Sequence, residues 1–252
     1  MAIFSYAKLV KLILVITLLS VSNLFILISI AKTTESKEAK KPLLNKAAKE
    51  IAETGRIVFR FFDDSNGIPQ NTINTVVTDK KGYIWVGTQD GAAYYNGQSW
   101  TTVNMPNRTL SNWVYQIYVA KDGSVLFCTN GAGLSSYKDG NWKTYDSKSG
   151  LPNDQVRSVL ETTNLNGKEV LWIGTSNGLA RFEEEKWTIY NTSSGLPNNV
   201  VRHLIETTDN NGKKAIWVGT DGGLARFEEE KWTIYNTSSG LPNNVIRGLS
   251  KS

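Results

Sequence analysis

The chain has 252 residues, room for one large domain or two small ones, with 40% hydrophobic and 20% charged residues and a formal net charge of +5. A single cysteine excludes an internal disulfide framework and any multi-cysteine zinc site. The excess positive charge gathers in residues 32–50 rather than on the rest of the chain, which argues against nucleic acid as a partner.

Residues 12–31, LILVITLLSVSNLFILISIA, run without a charge. At about 1.5 Å per residue such a helix just spans a ~30 Å hydrocarbon core. Two readings are open: an uncleaved signal anchor, which the length favours, or a signal peptide cleaved after the small-x-small sequence Ser29-Ile30-Ala31. The lysines that follow would hold the rest of the chain in the cytoplasm by the positive-inside tendency, although long domains often translocate regardless. Residues 32–55 read as a charged juxtamembrane linker, a solvated stretch or a lipid-headgroup contact. Leu43, Ala47 and Ile51 recur at helical spacing within it, so a short amphipathic helix and a flexible stalk are both compatible with the pattern.

From residue 56 onward the chain repeats itself. GLARFEEEKWTIYNTSSGLPNNV occupies 178–200 and returns letter for letter at 223–245, 45 positions later. The marker GLPN begins at Gly150, Gly195 and Gly240, GIPQ begins at Gly67, and a diverged unit surrounds Met105-Pro106-Asn107. Each unit reads as a Gly-Leu-Pro turn, an apolar segment, a polar turn, an IWVGT-like segment, a glycine turn, a GLARF-like segment, an acidic turn and a KWTIY-like segment. Four short runs rich in β-branched and aromatic residues between Gly, Pro and Asn turns predict four strands, A to D. Four strands at a period of about 42–45 residues predict propeller blades. The expected fold is therefore an all-β β-propeller with four complete repeats. A strand D at 56–62 (RIVFRFF) and a strand A at 243–250 (NNVIRGLS) would contribute to a partial fifth blade, as in a truncated propeller. Trp85, Trp172 and Trp217 are expected to wedge between blades.

The order GLPNN…IW(V/I)GT…GLARF across residues 56–252 resembles the two-component regulator propeller repeat. The resemblance implies the extracytoplasmic, periplasmic sensor part of a membrane-anchored bacterial signalling protein. In that family the output is often a hybrid histidine kinase, sometimes a diguanylate cyclase or phosphatase, and several members sense polysaccharide breakdown products. It implies a small soluble ligand, an oligosaccharide class among the options, and no cofactor. It also implies membrane attachment through the N-terminal helix and a signalling partner or self-association. A stand-alone propeller scaffold binding carbohydrate or protein is the alternative, and a propeller lyase or quinone-dependent dehydrogenase is a third reading.

No catalytic set is legible. His203 is the only histidine, and its repeat counterparts are Thr75, Gln116, Ser158 and Gly248, which reads as packing or surface. Cys128 stands where other units have Gly87, Gly174 and Gly219, as a small buried filler. The triplets 183–185 and 228–230 read as solvated C–D turns, and there is no phosphate loop or metal-ligand cluster. One strand-A position reads Asn74, Tyr115, Arg157, Arg202 and Arg247 through successive units. These residues would ring a central channel and either hold an anionic or polyhydroxylated ligand by forked hydrogen bonds or tie adjacent blades together. Trp113 lies two residues before Tyr115, on the same side of the strand, to stack a sugar ring or simply to pack. The B–C turns around Asn130, Asn177 and Asp221 are the second candidate location.

Overall fold

In a computed structural model the described residues are 60–106, 112–164 and 166–250. The chain divides into two compact units, Met1–Asn66 and Gly67–Ser252. The described part of the first is a short stretch ending in the 3₁₀ turn Asp64–Asn66. The apolar segment 12–31, the juxtamembrane stretch 43–53 and most of the strand expected at 56–62 lie outside the described residues, and Phe61 makes only an isolated bridge. Among the described residues no helix is long and apolar enough to cross a membrane.

The second unit contains four antiparallel four-stranded sheets, each a simple meander of consecutive strands. Blade I comprises β1 (Ile73–Thr78), β2 (Ile84–Thr88), β3 (Gly91–Tyr95) and β4 (Trp100–Val103). Blade II has β5 (Val114–Val119), β6 (Val125–Thr129), β7 (Leu134–Lys138) and β8 (Asn141–Tyr145). Blade III has β9 (Val156–Thr163), β10 (Glu169–Thr175), β11 (Gly178–Glu183) and β12 (Lys186–Tyr190). Blade IV has β13 (Val201–Thr208), β14 (Lys214–Thr220), β15 (Leu224–Glu228) and β16 (Lys231–Tyr235). These are the four predicted repeats, with strands A to D in the predicted order.

The D–A connections explain the repeated letters. Asn191 and Asn236 cap one-turn 3₁₀ segments, Thr192–Ser194 and Thr237–Ser239, through reciprocal side-chain and backbone bonds with the third serine. The second Asn of GLPNN reaches back seven residues: Asn199 Oδ1 accepts from Thr192 N at 2.9 Å and Asn244 Oδ1 from Thr237 N at 2.8 Å. The first Asn folds onto its own backbone, as in Val200 N to Asn198 Oδ1 at 2.8 Å. The glycine ends the turn at φ 118° in Gly150 and 106° in Gly195, a region that favours glycine. It also lies against the strand-D tryptophan of the blade it introduces. A Cβ on Gly150 would sit 2.4 Å from Trp187, and one on Gly195 2.9 Å from Trp232.

Between blades the core is aromatic. Trp85 meets Phe127 and Tyr137 of blade II with ring centres 5.7 and 6.0 Å apart, and Trp172 meets Phe227 of blade IV at 5.4 Å. Both are almost fully buried, and each indole N–H is satisfied, Trp85 by Asp79 and Trp172 by Thr162. Trp217 departs from the wedge reading. Its ring contacts Tyr235 and Arg226 of its own blade and is only half-buried, because among the described residues no blade packs on that side. For the same reason 243–250 does not form the predicted strand. Ile246 N donates to Thr220 O at 2.9 Å, but no strand lies alongside to continue a ladder. The C–D turns are exposed, with Glu184, Glu185, Glu229 and Glu230 all at positive φ. Glu230 nonetheless reaches across to Arg181 of blade III at 2.7 Å.

Trp172→Ala is expected to destabilise the full chain by ~3–5 kcal/mol, and Trp217→Ala by clearly less. Urea unfolding followed by circular dichroism compares the two, and equal losses would contradict this picture of the blade interfaces. At the D–A turns, Gly240 has φ 99° but nothing within 4 Å of an added Cβ. Gly240→Ala should therefore show only the backbone strain, about 1–2 kcal/mol, whereas Gly150→Ala adds the clash with Trp187 and should lose more.

Candidate functional site

At the start of every strand A the ladder to strand B slips. The register shifts fall between Ile73 and Thr75, Val114 and Gln116, and Val201 and His203, and in blade III opposite the step from Gly174 to Thr175. One residue per blade is thus extra: Asn74, Tyr115, Arg157 and Arg202. A bulge leaves its extra residue out of the ladder and re-aims the side chain. Those four, with Arg247 from the segment after blade IV, line one cavity of about 450 Å³ together with His203.

Each bulged arginine is anchored inside its own blade. Arg157 Nε donates to Ser176 Oγ at 2.9 Å and Nη2 to Gln155 Oε1 at 3.2 Å. Arg202 is gripped by Asp221 through both carboxylate oxygens, Nε to Oδ1 and Nη2 to Oδ2, the latter at 2.8 Å. Ser176 and Asp221 are equivalent positions, each just after the Gly-Thr step that ends strand B. For these two arginines the expected tie between adjacent blades is therefore replaced by a tie from strand A to the B–C turn of the same blade, whereas Asn74 Nδ2 does cross to Val114 O of blade II at 2.9 Å. Arg157 also touches a neighbour, its guanidinium 5.1 Å above the Tyr115 ring. Among the described residues Arg247 is exposed and makes no hydrogen bond or ion pair.

In blades I, II and IV the residue after the bulge reaches the backbone of the segment that follows. Thr75 Oγ1 accepts from Ile117 N at 3.3 Å, Gln116 Oε1 from Val159 N at 2.8 Å, and His203 Nδ1 from Leu249 N at 3.3 Å. The single histidine is thus a structural acceptor, as its variable position suggested, but one at the cavity wall. Burial lowers its pKa below the ordinary histidine value, since the imidazolium would lose solvation. Cys128 is wholly buried, and its thiol is pushed far above the usual range.

Of the other predicted residues, Trp113 packs beside Tyr115 with ring centres 5.5 Å apart but does not line the cavity. Asn130 and Asp221 stand one step behind it. Asn130 Oδ1 accepts from Gln155 Nε2, which also donates to Tyr115 OH at 3.1 Å. Asn177 lies in a B–C turn, its N–H on Thr175 Oγ1 at 3.1 Å, away from the cavity. Sequence reading missed the anchors Gln155 and Ser176 and the contribution of His203.

A second cleft of about 400 Å³ opens between blades I and II, over Tyr83, Tyr94 and Tyr137. In blades III and IV an arginine covers the strand-B tryptophan, Arg181 at 5.3 Å from Trp172 and Arg226 at 5.7 Å from Trp217. In blade I, Tyr94 takes that place, with Tyr83 stacked on it at 5.4 Å.

Fold and site define an all-β protein of propeller blades with a ligand-sized cavity where the first strands meet. Residues 67–90 match the family described as Two component regulator propeller. The chain is similar in structure to the extracellular domain of BT3049, assigned as a hybrid two component system of B. thetaiotaomicron. That match has 25% identity and a TM-score of 0.58 and covers 70% of this chain and 24% of the other. The chain thus spans less than a quarter of that structure's length. Virginiamycin B lyase from Staphylococcus aureus matches at 21% identity and a TM-score of 0.48, over 65% of this chain and 55% of the lyase, too distant to bear on function. No curated protein matches.

Because the folded pKa of His203 is depressed, the unfolded state binds a proton first as pH falls. The stability His203 contributes is present above about pH 6.5 and is lost as pH falls toward the folded pKa. Protonation at Nδ1 would also remove the acceptor for Leu249 N–H. The melting temperature should therefore drop between pH 7.5 and 5.5, a drop that His203→Asn should largely abolish; an unchanged pH profile in the variant would contradict it.

Proposed function

We propose that the chain is the ligand-sensing propeller region of a membrane-anchored, two-component-type signalling protein and works outside the cytoplasm. The observation that carries this reading is the convergence of the bulged residue of every blade on one cavity. A repeat built only to stack has no need to displace one side chain per blade toward the axis. The family match at 67–90 and the likeness to an extracellular sensor domain support the signalling context. The apolar segment 12–31 supplies the membrane anchor, and the signal passes to an output region or partner protein. The propeller binds without transforming its ligand, a small soluble molecule.

The test is a thermal-shift screen of soluble metabolites against the full chain in detergent. A true ligand should raise the melting temperature of the parent and lose at least about tenfold in affinity with Tyr115→Ala plus Arg247→Ala. Ligands whose binding ignores both substitutions would place the sensing site elsewhere.

A further inference from the structure

The central cavity carries charge that its surroundings only partly cancel. Among the described residues three arginines line it, Arg157, Arg202 and Arg247, and no carboxylate does. Asp221, one step behind, neutralises Arg202. Arg157 is held by two uncharged groups, Ser176 Oγ and Gln155 Oε1. Arg247 has no ion pair among the described residues. His203 stays neutral near pH 7, since burial lowers its pKa. Two positive charges therefore remain at the wall of a cavity within the usual range of small-molecule sites.

The anchoring also decides which part of each guanidinium faces a ligand. Arginine has five N–H donors on a planar frame. In both Arg157 and Arg202 the bonds to the blade use Nε and Nη2, the side edge of the fork. Three donors of each, including both on Nη1, are left for the opposite edge. A guanidinium fixed in this way has little rotamer freedom left to lose when it binds, and its free edge matches two oxygens of a carboxylate or phosphate. The other side of the lining is uncharged. Asn74 donates to Val114 O at 2.9 Å, which leaves its Oδ1 as an acceptor.

The second cleft is an internal comparison. Its rim has Asp79, Asp122 and Asp139 against Lys80, Lys81 and Lys138, with Lys138 on Asp122 at 2.7 Å and Lys81 on Asp139 at 3.2 Å. That lining is balanced, so nothing there selects for charge.

We propose that the central cavity takes a compact organic anion, with one or two carboxylate or phosphate groups on Arg157, Arg247 and the free edge of Arg202. A hydroxyl-bearing part of the ligand lies toward Asn74. This rests on the reading of the cavity as the sensing site and adds the chemical class of its ligand.

Calorimetry on the full chain in detergent tests it with matched probes that differ by one charged group: glucuronate against glucose, and glycerol 3-phosphate against glycerol. The charged member of at least one pair should bind, weaken as salt rises, and lose about tenfold or more with Arg157→Lys and with Arg247→Gln. Arg247→Gln should leave the melting temperature unchanged, which separates binding from folding. Lys138→Gln, in the other cleft, should leave affinity unchanged. A neutral probe that binds as well as its charged partner, yet depends on Arg247, would overturn the anion class while leaving the cavity as the sensing site. Anion binding insensitive to both arginines would overturn both readings. No binding of either anion up to about 10 mM would overturn the proposal.

Discussion

Neighbouring blades can meet only where strand B of one lets strand A of the next come close. In blades I, III and IV that approach rests on the glycine of the Gly-Thr step. A Cβ on Gly87 would stand 2.7 Å from Val114 Cγ1, one on Gly174 2.6 Å from Val201 Cγ1, and one on Gly219 2.8 Å from Ile246 Cγ2. Real side chains do not approach so closely, and a packed interior has little slack to yield. With the glycine in place the next first strand seats against the sheet, and in blades I and III the strand-B tryptophan two residues before it wedges against the following blade. Blade II places Cys128 at this step instead, fully buried, with its sulfur 3.9 Å from Gln116 Oε1.

The bulge sits beside that contact and links packing to the site. Thr75 and Gln116, paired with Gly87 and Cys128, accept from the backbone of the next first strand, and His203, paired with Gly219, accepts from Leu249 N in the segment after blade IV. The residue before each of them is left out of the ladder and enters the cavity. In blades I and II one local irregularity thus yields both an inter-blade hydrogen bond and a channel-lining side chain. It makes the lining a function of four independent sequence positions, free to vary while the stack is kept. The ring accordingly changes from Asn74 to Tyr115 to arginine at Arg157, Arg202 and Arg247.

The two longest identical stretches of the chain carry almost none of the candidate chemistry. Residues 178–200 and 223–245 are occupied with capping 3₁₀ turns, seating a tryptophan against a glycine and closing C–D hairpins. The chemistry lies outside those stretches, at Asn74, Tyr115, Arg157, Arg202 and in their partners Gln155, Ser176 and Asp221.

Period, turn residues and the alternation of apolar runs were enough to read sixteen strands, their order and the blade architecture, because each unit carries its own local signals for hairpins and caps. The equivalence of Asn74, Tyr115, Arg157, Arg202 and Arg247 was legible for the same reason: repeats align residue to residue. What sequence could not decide was the direction and partner of each side chain. Nothing in the letters marks the bulge that turns these residues toward the axis, since a register slip is set by how two strands pair and not by either strand alone. The anchoring of Arg202 on Asp221, 19 positions away, exists only once the hairpin is folded. Trp217 shows the complementary limit. Its local sequence matches Trp172 almost letter for letter, yet one ring is buried and the other half-exposed, because burial depends on the neighbouring blade and not on the residue's own strand.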